Sequence, residues 1–238
     1  MGRKLNNRID WFTPETGQEE IDAVINVLKS NYLNDGAITR EFERTLANYT
    51  GTKYAVGVTS GTAAITLALM AHGIGQGDVV IAPDFTFIAT ANAIKLTGAK
   101  VILVDVDRES FCIDVKKAEE AITEKTRAIV AVDVNGRSPD YSSLEKLCRS
   151  SNLTLICDSA EALGSFNNGR ALGSFGDAGC YSFSSAKTVS SGQGGMIVTN
   201  NEATYYRIKE LKDQGRRQTG TGGNDLHPTI GYNFKYTN

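Results

Sequence analysis

No apolar run in these 238 residues is long enough to cross a bilayer, which takes about 20. The N-terminus, MGRKLNNRID, has no apolar stretch of the kind found in a secretory signal. With Asn6 where Ser or Thr is required, it also misses the myristoylation pattern. Excess charge of one sign is absent as well: 25 Lys and Arg stand against 27 Asp and Glu, a formal net charge of −2. That balance argues against a chain built to grip nucleic acid or a membrane surface. The four cysteines, Cys112, Cys148, Cys157 and Cys180, form no C-x-x-C pair and several sit in apolar runs, so they read as reduced and mostly buried thiols. Two scattered histidines, His72 and His227, are too few for a zinc site. Repeats and low-complexity segments are missing too. The expectation is a cytoplasmic protein without a metal.

What the chain does have is a 41% hydrophobic content, enough for one large core or for one domain and part of another. Residues 1–17 are polar apart from Trp11 and Phe12 and read as an arm. A helix starts near Gly17, with Ile21, Val24, Ile25 and Leu28 as its stripe. Asn34-Asp35-Gly36 marks a turn, and a second helix, with Phe42, Leu46 and Tyr49 on its apolar face, ends at Gly51. Strands then alternate with helices: strand 54–58, helix 61–71, strand 79–82, helix 86–96, strand 101–104, helix 114–122, strand 128–132, helix 141–148, strand 153–157. Apolar runs at 178–183 and 196–199 and an amphipathic helix at 202–212 follow. The short strands are continuously apolar, as in a mostly parallel sheet buried on both faces. After Gln214 the texture becomes loop-like, Gly215 to Gly223, and Gly231 to Tyr236 reads as a strand or extended segment.

In such a sheet, ligands sit beyond the carboxyl ends of the strands. Four stretches fall there. Thr59-Ser60-Gly61-Thr62 opens a helix with small residues, as an anion cradle or as an ordinary N-cap. Phe87, after strand 79–82, is a core aromatic or a stacking ring. Asp158, straight after an apolar strand, is a helix cap or the partner of a buried cation. Lys187 lies between two core strands among small and hydroxylated residues. Either it is a loop lysine, or it is an amine whose partial removal from water favours the neutral, nucleophilic form. Singly, each admits the plainer reading. Together an anion cradle, a flat ring, a buried acid and an amine match the parts of pyridoxal 5′-phosphate.

The sequence resembles the DegT/DnrJ/EryC1/StrS sugar aminotransferases, fold-type-I pyridoxal-phosphate enzymes. The resemblance runs from Trp11 onward. It rests on Ser60-Gly61-Thr62, Thr86-Phe87-x-Ala89-Thr90-Ala91-Asn92, Asp158-x-Ala160-x-Ala162-x-Gly164, Ser182-Phe183-x-x-x-Lys187, Gly192-x-Gly194-Gly195 and Gly231-x-Asn233. It implies a three-layer αβα large domain over residues 18–238 with a mostly parallel mixed sheet, and a chain that stops before the family's small C-terminal domain. Lys187 would be the catalytic residue that joins the cofactor. Asp158 would face the pyridine nitrogen, Gly61, Thr62 and Ser182 would hold the phosphate, and Phe87 would stack on the ring. Glu161 would lie beside the ring oxygen, and Asn233 would reach the cofactor of a second subunit in a homodimer with shared sites. The implied reaction moves an amino group from an amino acid, L-glutamate, to a keto group of a nucleotide-linked sugar, with pyridoxamine 5′-phosphate as the intermediate cofactor form. Glu161 in Ala160-Glu161-Ala162-Leu163-Gly164 points to the perosamine-synthase-like group. The alternatives are a pyridoxal-phosphate sugar dehydratase or lyase, and a truncated non-catalytic paralogue. Two positions depart from the family pattern: Asp133, where histidine is frequent, and Gln193, where glutamate is usual.

Overall fold

The computed structural model describes residues 10–216 and 226–238. The first nine residues of the expected arm, and residues 217–225, which take in 217–223 of the expected loop, lie outside the described residues. Two helices, α1 (Gln18–Lys29) and α2 (Ala37–Thr50), precede the sheet. The sheet and its helices then alternate: β1 (Tyr54–Val58), α3 (Gly61–Ala71), β2 (Val79–Pro83), α4 (Ala89–Leu96), β3 (Lys100–Val104), α5 (Val115–Glu120), β4 (Thr126–Val132), α6 (Tyr141–Ser151) and β5 (Thr154–Asp158). A short hairpin, β6 (Phe166–Asn167) and β7 (Arg170–Ala171), leads to β8 (Ala178–Ser182), β9 (Gly195–Thr199) and α7 (Glu202–Lys212).

The seven-stranded sheet has the order β1-β9-β8-β5-β4-β2-β3. Pairs β3/β2, β2/β4, β4/β5 and β5/β8 are parallel, whereas β9 runs antiparallel to both β8 and β1. β1 therefore points the same way as β8, and the carboxyl ends of β1, β2, β4, β5 and β8 share one edge. Alternate residues of each strand feed opposite cores. Val80, Ala82, Val130, Ile156, Cys180 and Ile197 pack with α3 and α7. Ile81, Ile129, Ala131, Leu155 and Cys157 pack with α6, and Tyr181, Met196 and Val198 pack with α2. Both faces are covered, which makes three layers and explains the continuous apolar runs. All four cysteines are free and buried. Among the described residues no helix is long and apolar enough to cross a membrane, and no cluster of His, Cys, Asp and Glu could hold a metal.

Helix α1 forms where its stripe predicts it, but none of its residues is buried, and Ile21, Val24 and Leu28 are exposed. Two expected helices are shorter than their patterns. α4 begins at Ala89 because residues 84–88 turn away from the sheet edge after the Asp84 amide bonds the Val104 carbonyl at 2.9 Å. α5 begins one residue after Asp114, whose Oδ1 caps the amides of Lys116 and Lys117. Residues 231–236 are extended and contribute isolated bridges rather than a full strand. Their amides go elsewhere: Tyr232 and Phe234 donate to the Leu211 and Lys212 carbonyls, satisfying the last turn of α7.

Lys212 itself is 1% exposed. Its Nζ reaches Asp35 at 2.9 Å, the Gly57 carbonyl at 3.0 Å and Glu43 at 3.4 Å, while the Gly57 amide donates to the same Glu43 oxygen at 2.8 Å. Such a buried cation is tolerated because each of its three protons has an acceptor. It joins α7, β1, α2 and the turn before α2.

Candidate active site

The shared edge collects the residues singled out by sequence. β1 ends at Val58, and two residues later Ser60 caps α3: its Oγ accepts from the Ala63 amide at 3.1 Å and its carbonyl from Ala64 at 3.0 Å. The amides of Gly61 and Thr62, in the first turn, have no acceptor within their own helix, so the positive end of α3 stays open. Register places Val58, Gly195 and Ser182 side by side across β1, β9 and β8. A Cβ on Gly61 would stand 2.9 Å from the Ser182 Cβ, and one on Gly195 only 2.3 Å from the Ser60 carbonyl oxygen. Only glycines let the helix start, β9 and Ser182 meet this closely. The result is a small cradle with two amides and a hydroxyl at its rim.

Asp158 closes β5 and is buried, 6% exposed. Its Oδ2 accepts from Thr90 Oγ1 at 2.7 Å and its Oδ1 from the Ala160 amide at 3.3 Å. Thr90 is held in turn by Thr86, hydroxyl to hydroxyl at 2.8 Å. Burial pushes the Asp158 carboxyl above its ordinary value; the Thr90 and Ala160 hydrogen bonds and the Lys187 charge pull the other way without cancelling this. Among the described residues no Lys, Arg or His nitrogen lies within 4.0 Å of this carboxylate. It is a buried anion lacking a cationic partner.

Lys187 and Glu161 form a pair. Lys187 Nζ donates to Glu161 Oε1 at 3.3 Å, and the Asn135 amide donates to Glu161 Oε2 at 3.1 Å. The carboxylate thus bridges the loop after β4 and the loop after β8, and it holds the lysine amine over the edge that Asp158 occupies. Phe87 stands 70% exposed beside that edge, with its ring uncovered. Asn233 is not brought to this cluster. It bridges to Asp213, and its Oδ1 accepts from Lys235 Nζ at 3.1 Å.

Sequence reasoning assigned no role to Thr90, although it lies in the quoted stretch and now proves to hold Asp158. It also left Asp133 only as a departure from the family pattern. Asp133 is 0% exposed, so it cannot touch a substrate. It accepts from Tyr141 Oη at 2.6 Å and Ser159 Oγ at 2.5 Å, and its amide bonds the Asp158 carbonyl at 3.0 Å. Burial raises its pKa to about 7, with the Asp158 charge adding to the rise and the two hydroxyls opposing it. Gln193 lies in the exposed part of the Lys187 loop, and its carbonyl accepts from Ser191 Oγ at 2.8 Å.

The arrangement fits a phosphorylated pyridine aldehyde. Anion-binding amides, a hydroxyl, an unpaired buried carboxylate, an open aromatic face and a primary amine are the complements of its phosphate, ring nitrogen, ring and aldehyde.

Comparison with known proteins gives the same direction. The DegT/DnrJ/EryC1/StrS aminotransferase family matches residues 14–238. The chain is 40% identical to the GDP-perosamine synthase of Escherichia coli O157:H7 over 234 residues, 97% of this chain and 63% of that protein. It superposes on the aminotransferase from Psychrobacter cryohalolentis with a TM-score of 0.90 at 35% identity, over 94% of this chain and 59% of that one. A Streptococcus pneumoniae protein solved in its PLP form matches with a TM-score of 0.88 at 31% identity, over 95% of this chain and 63% of that one. The chain therefore spans 59–63% of the length of these three proteins. On a match that takes in all but its first 13 residues, the chain belongs to the DegT/DnrJ/EryC1/StrS aminotransferase family.

Proposed function

We propose that this chain carries the pyridoxal-phosphate site of a sugar aminotransferase that moves an amino group from L-glutamate to a keto group of a nucleotide-linked sugar. One observation carries the reading: the Lys187 amine, 3.3 Å from Glu161, overlooks the strand edge where Asp158 is buried without a cation and where α3 presents its open amides. The name of the E. coli relative, a GDP-perosamine synthase, supports the substrate class. When bound, the cofactor supplies an electron sink for the carbon that gains or loses the amino group.

The chain's own residues then divide the work. Gly61 and Thr62 amides and the Ser182 hydroxyl bind the phosphate and fix the register of the ring. Asp158 keeps the proton on the ring nitrogen, and Thr90 keeps Asp158 aimed. Phe87 covers one face of the ring and excludes water from it. Lys187 would hold the cofactor through its amine, and the same amine would serve as base and acid at the reacting carbon. Glu161, 3.3 Å from the Lys187 amine, would hold that amine where it can act and would face the ring oxygen. Residues 18–238 form the cofactor-binding domain and 1–17 its arm. Asn233, pointed away from its own site, serves the phosphate of a second copy in a homodimer.

Borohydride reduction of protein supplied with pyridoxal phosphate, followed by peptide mapping, tests the assignment. The label is expected on Lys187 and is expected to vanish in Lys187→Ala. A label on another lysine, or on none, removes the reading. Equal yields of 2-oxoglutarate and amino sugar separate amino transfer from a dehydratase or lyase outcome, and a light-scattering mass of one chain would remove the shared site.

A further inference from the structure

The loop that carries Lys187 is exposed over residues 188–193. Its own hydrogen bonds close it at the base: Lys187 amide to Ser184 carbonyl at 3.0 Å, Ser191 amide to Phe183 carbonyl at 3.0 Å, Phe183 amide to Gly194 carbonyl at 2.9 Å. A second tie comes from far along the chain. Tyr236 Oη lies 2.5 Å from Ser191 Oγ and 3.3 Å from the Gln193 carbonyl, which Ser191 Oγ also bonds at 2.8 Å. One phenol thus meets two residues of the loop's outer turn. The ring lies on Gly194, where a Cβ would come within 2.7 Å of Tyr236 Cε2 and 2.8 Å of its hydroxyl. Glycine at 194 makes room for this tyrosine.

Tyr236 can hold the loop because it is itself held on both sides. Before it, the Tyr232 and Phe234 amides bond the end of α7, Lys235 Nζ reaches Asp213 at 2.9 Å, and Lys235 bridges Val58 of β1. After it, the Asn238 side-chain oxygen accepts from the Gly36 amide at 3.0 Å and from the Thr39 amide and hydroxyl at 3.1 Å, at the start of α2. The Phe42 ring of α2 lies between the Tyr236 and Phe183 rings, 6.4 and 5.0 Å from their centroids. The strap crosses from α7 to α2 with the Tyr236 hydroxyl aimed at the lysine loop.

We propose that Tyr236 is a positioning residue for Lys187: acting through Ser191 and Gln193, it fixes the outer turn of the loop, so that the amine is presented to the cofactor in one place. The cofactor part rests on the function proposed above; the holding of the loop does not. The hydroxyl pins the turn four residues after Lys187, and Glu161 pins the amine itself. Without the phenol the turn keeps only its internal bonds, and the amine samples positions away from the aldehyde.

Tyr236→Phe keeps the ring over Gly194 and removes only the hydroxyl; Ser191→Ala removes its partner. Hydrogen exchange of the Ser191 and Gly192 amides, which bond the Phe183 carbonyl and Ser190 Oγ, measured without cofactor, is expected to quicken about tenfold in each variant, the worth of one such bond. The double variant is expected to be faster than either alone but by less than the product of the two effects, because each single variant already loses the shared Tyr236–Ser191 contact while keeping one tie to the Gln193 carbonyl, and β5 and β8 keep their protection. In protein supplied with pyridoxal phosphate, the absorbance band of the lysine-bound cofactor is expected to form several-fold more slowly in Tyr236→Phe, with unchanged saturation at high cofactor. Unchanged exchange, or effects that multiply in the double variant, overturn the proposal. Faster exchange with an unaltered rate of band formation overturns the positioning role. If wild-type protein forms no band, the function proposed above fails, and exchange alone then decides whether Tyr236 holds the loop.

Discussion

Replacing Asp133 by asparagine should make the protein more stable at alkaline pH than the parent chain. The carboxyl is 0% exposed and its pKa is raised to about 7, chiefly by burial. Unfolded, it would titrate near 3.9. Between these values the folded state holds a proton that the unfolded state has released, so stability falls as pH rises. The loss starts near pH 4, continues to about pH 7 and then levels off. A rise from about 3.9 to about 7 amounts to roughly 4 kcal/mol at full ionisation, of which roughly 3 kcal/mol falls between pH 5 and pH 8. Asparagine resembles the neutral acid. Its oxygen can accept from Tyr141 and its amide can donate to Ser159, whose hydroxyl turns to accept. Near pH 5 the two proteins should therefore be close in stability. Asp158, also raised by burial, is present in both and drops out of the difference. Urea unfolding at pH 5, 6, 7 and 8 gives the comparison. Stability curves that run parallel over this range would show that Asp133 does not keep its proton on folding.

Asp158→Asn should retain part of the cofactor affinity, since the amides, Ser182 and Lys187 remain, yet lose at least 100-fold in turnover because the ring nitrogen loses the charge that keeps it protonated; an unchanged rate would reduce Asp158 to a cap for the turn after β5. Gly195→Ala would put a methyl 2.3 Å from the Ser60 carbonyl oxygen and 2.8 Å from the Gly61 amide nitrogen, both backbone atoms. It should cost on the order of 1–3 kcal/mol in thermal unfolding and weaken phosphate binding at least tenfold; wild-type affinity for inorganic phosphate and pyridoxal phosphate would contradict the cradle geometry.

Much of the sheet could be read in the sequence because its strands are buried on both faces. A run such as Ala128 to Val132 has no polar face to mislead, and Ala55 to Val58 or Leu155 to Cys157 behave alike. Helices whose ends carry chemical signals were placed well: α2 stops at Gly51 in the left-handed region, and α7 starts after Asn201, which caps Thr204. The hairpin β6–β7 was overlooked although its Asn168-Gly169 turn, both residues at positive φ, is an ordinary hairpin signal. Two-residue strands carry no periodicity to accompany it. α1 shows the opposite case, where periodicity correctly announces the helix and says nothing about what its apolar face meets.

The candidate site divides along a similar line. Residues at or just past the carboxyl end of a strand, Ser60 and Asp158, could be assigned to one edge because strand direction dictates where their backbones lie, whereas Ser182 entered through the family resemblance. Contacts between separate loops could not. Nothing in the spacing of Glu161 and Lys187, 26 positions apart, announces an ion pair at 3.3 Å; it arises because β5 and β8, whose following loops carry them, are neighbours in the sheet. Tyr236 is a harder case still, since its hydroxyl meets Ser191 across 45 positions through a strap whose course is set by the end of α7 and the start of α2. The glycines show what the motifs alone do not say: methyls added at Gly61, Gly194 and Gly195 would strike Ser182, Tyr236 and Ser60. In this fold small residues bring protein against protein, and the cradle proposed for the cofactor is the shape left between the parts so joined.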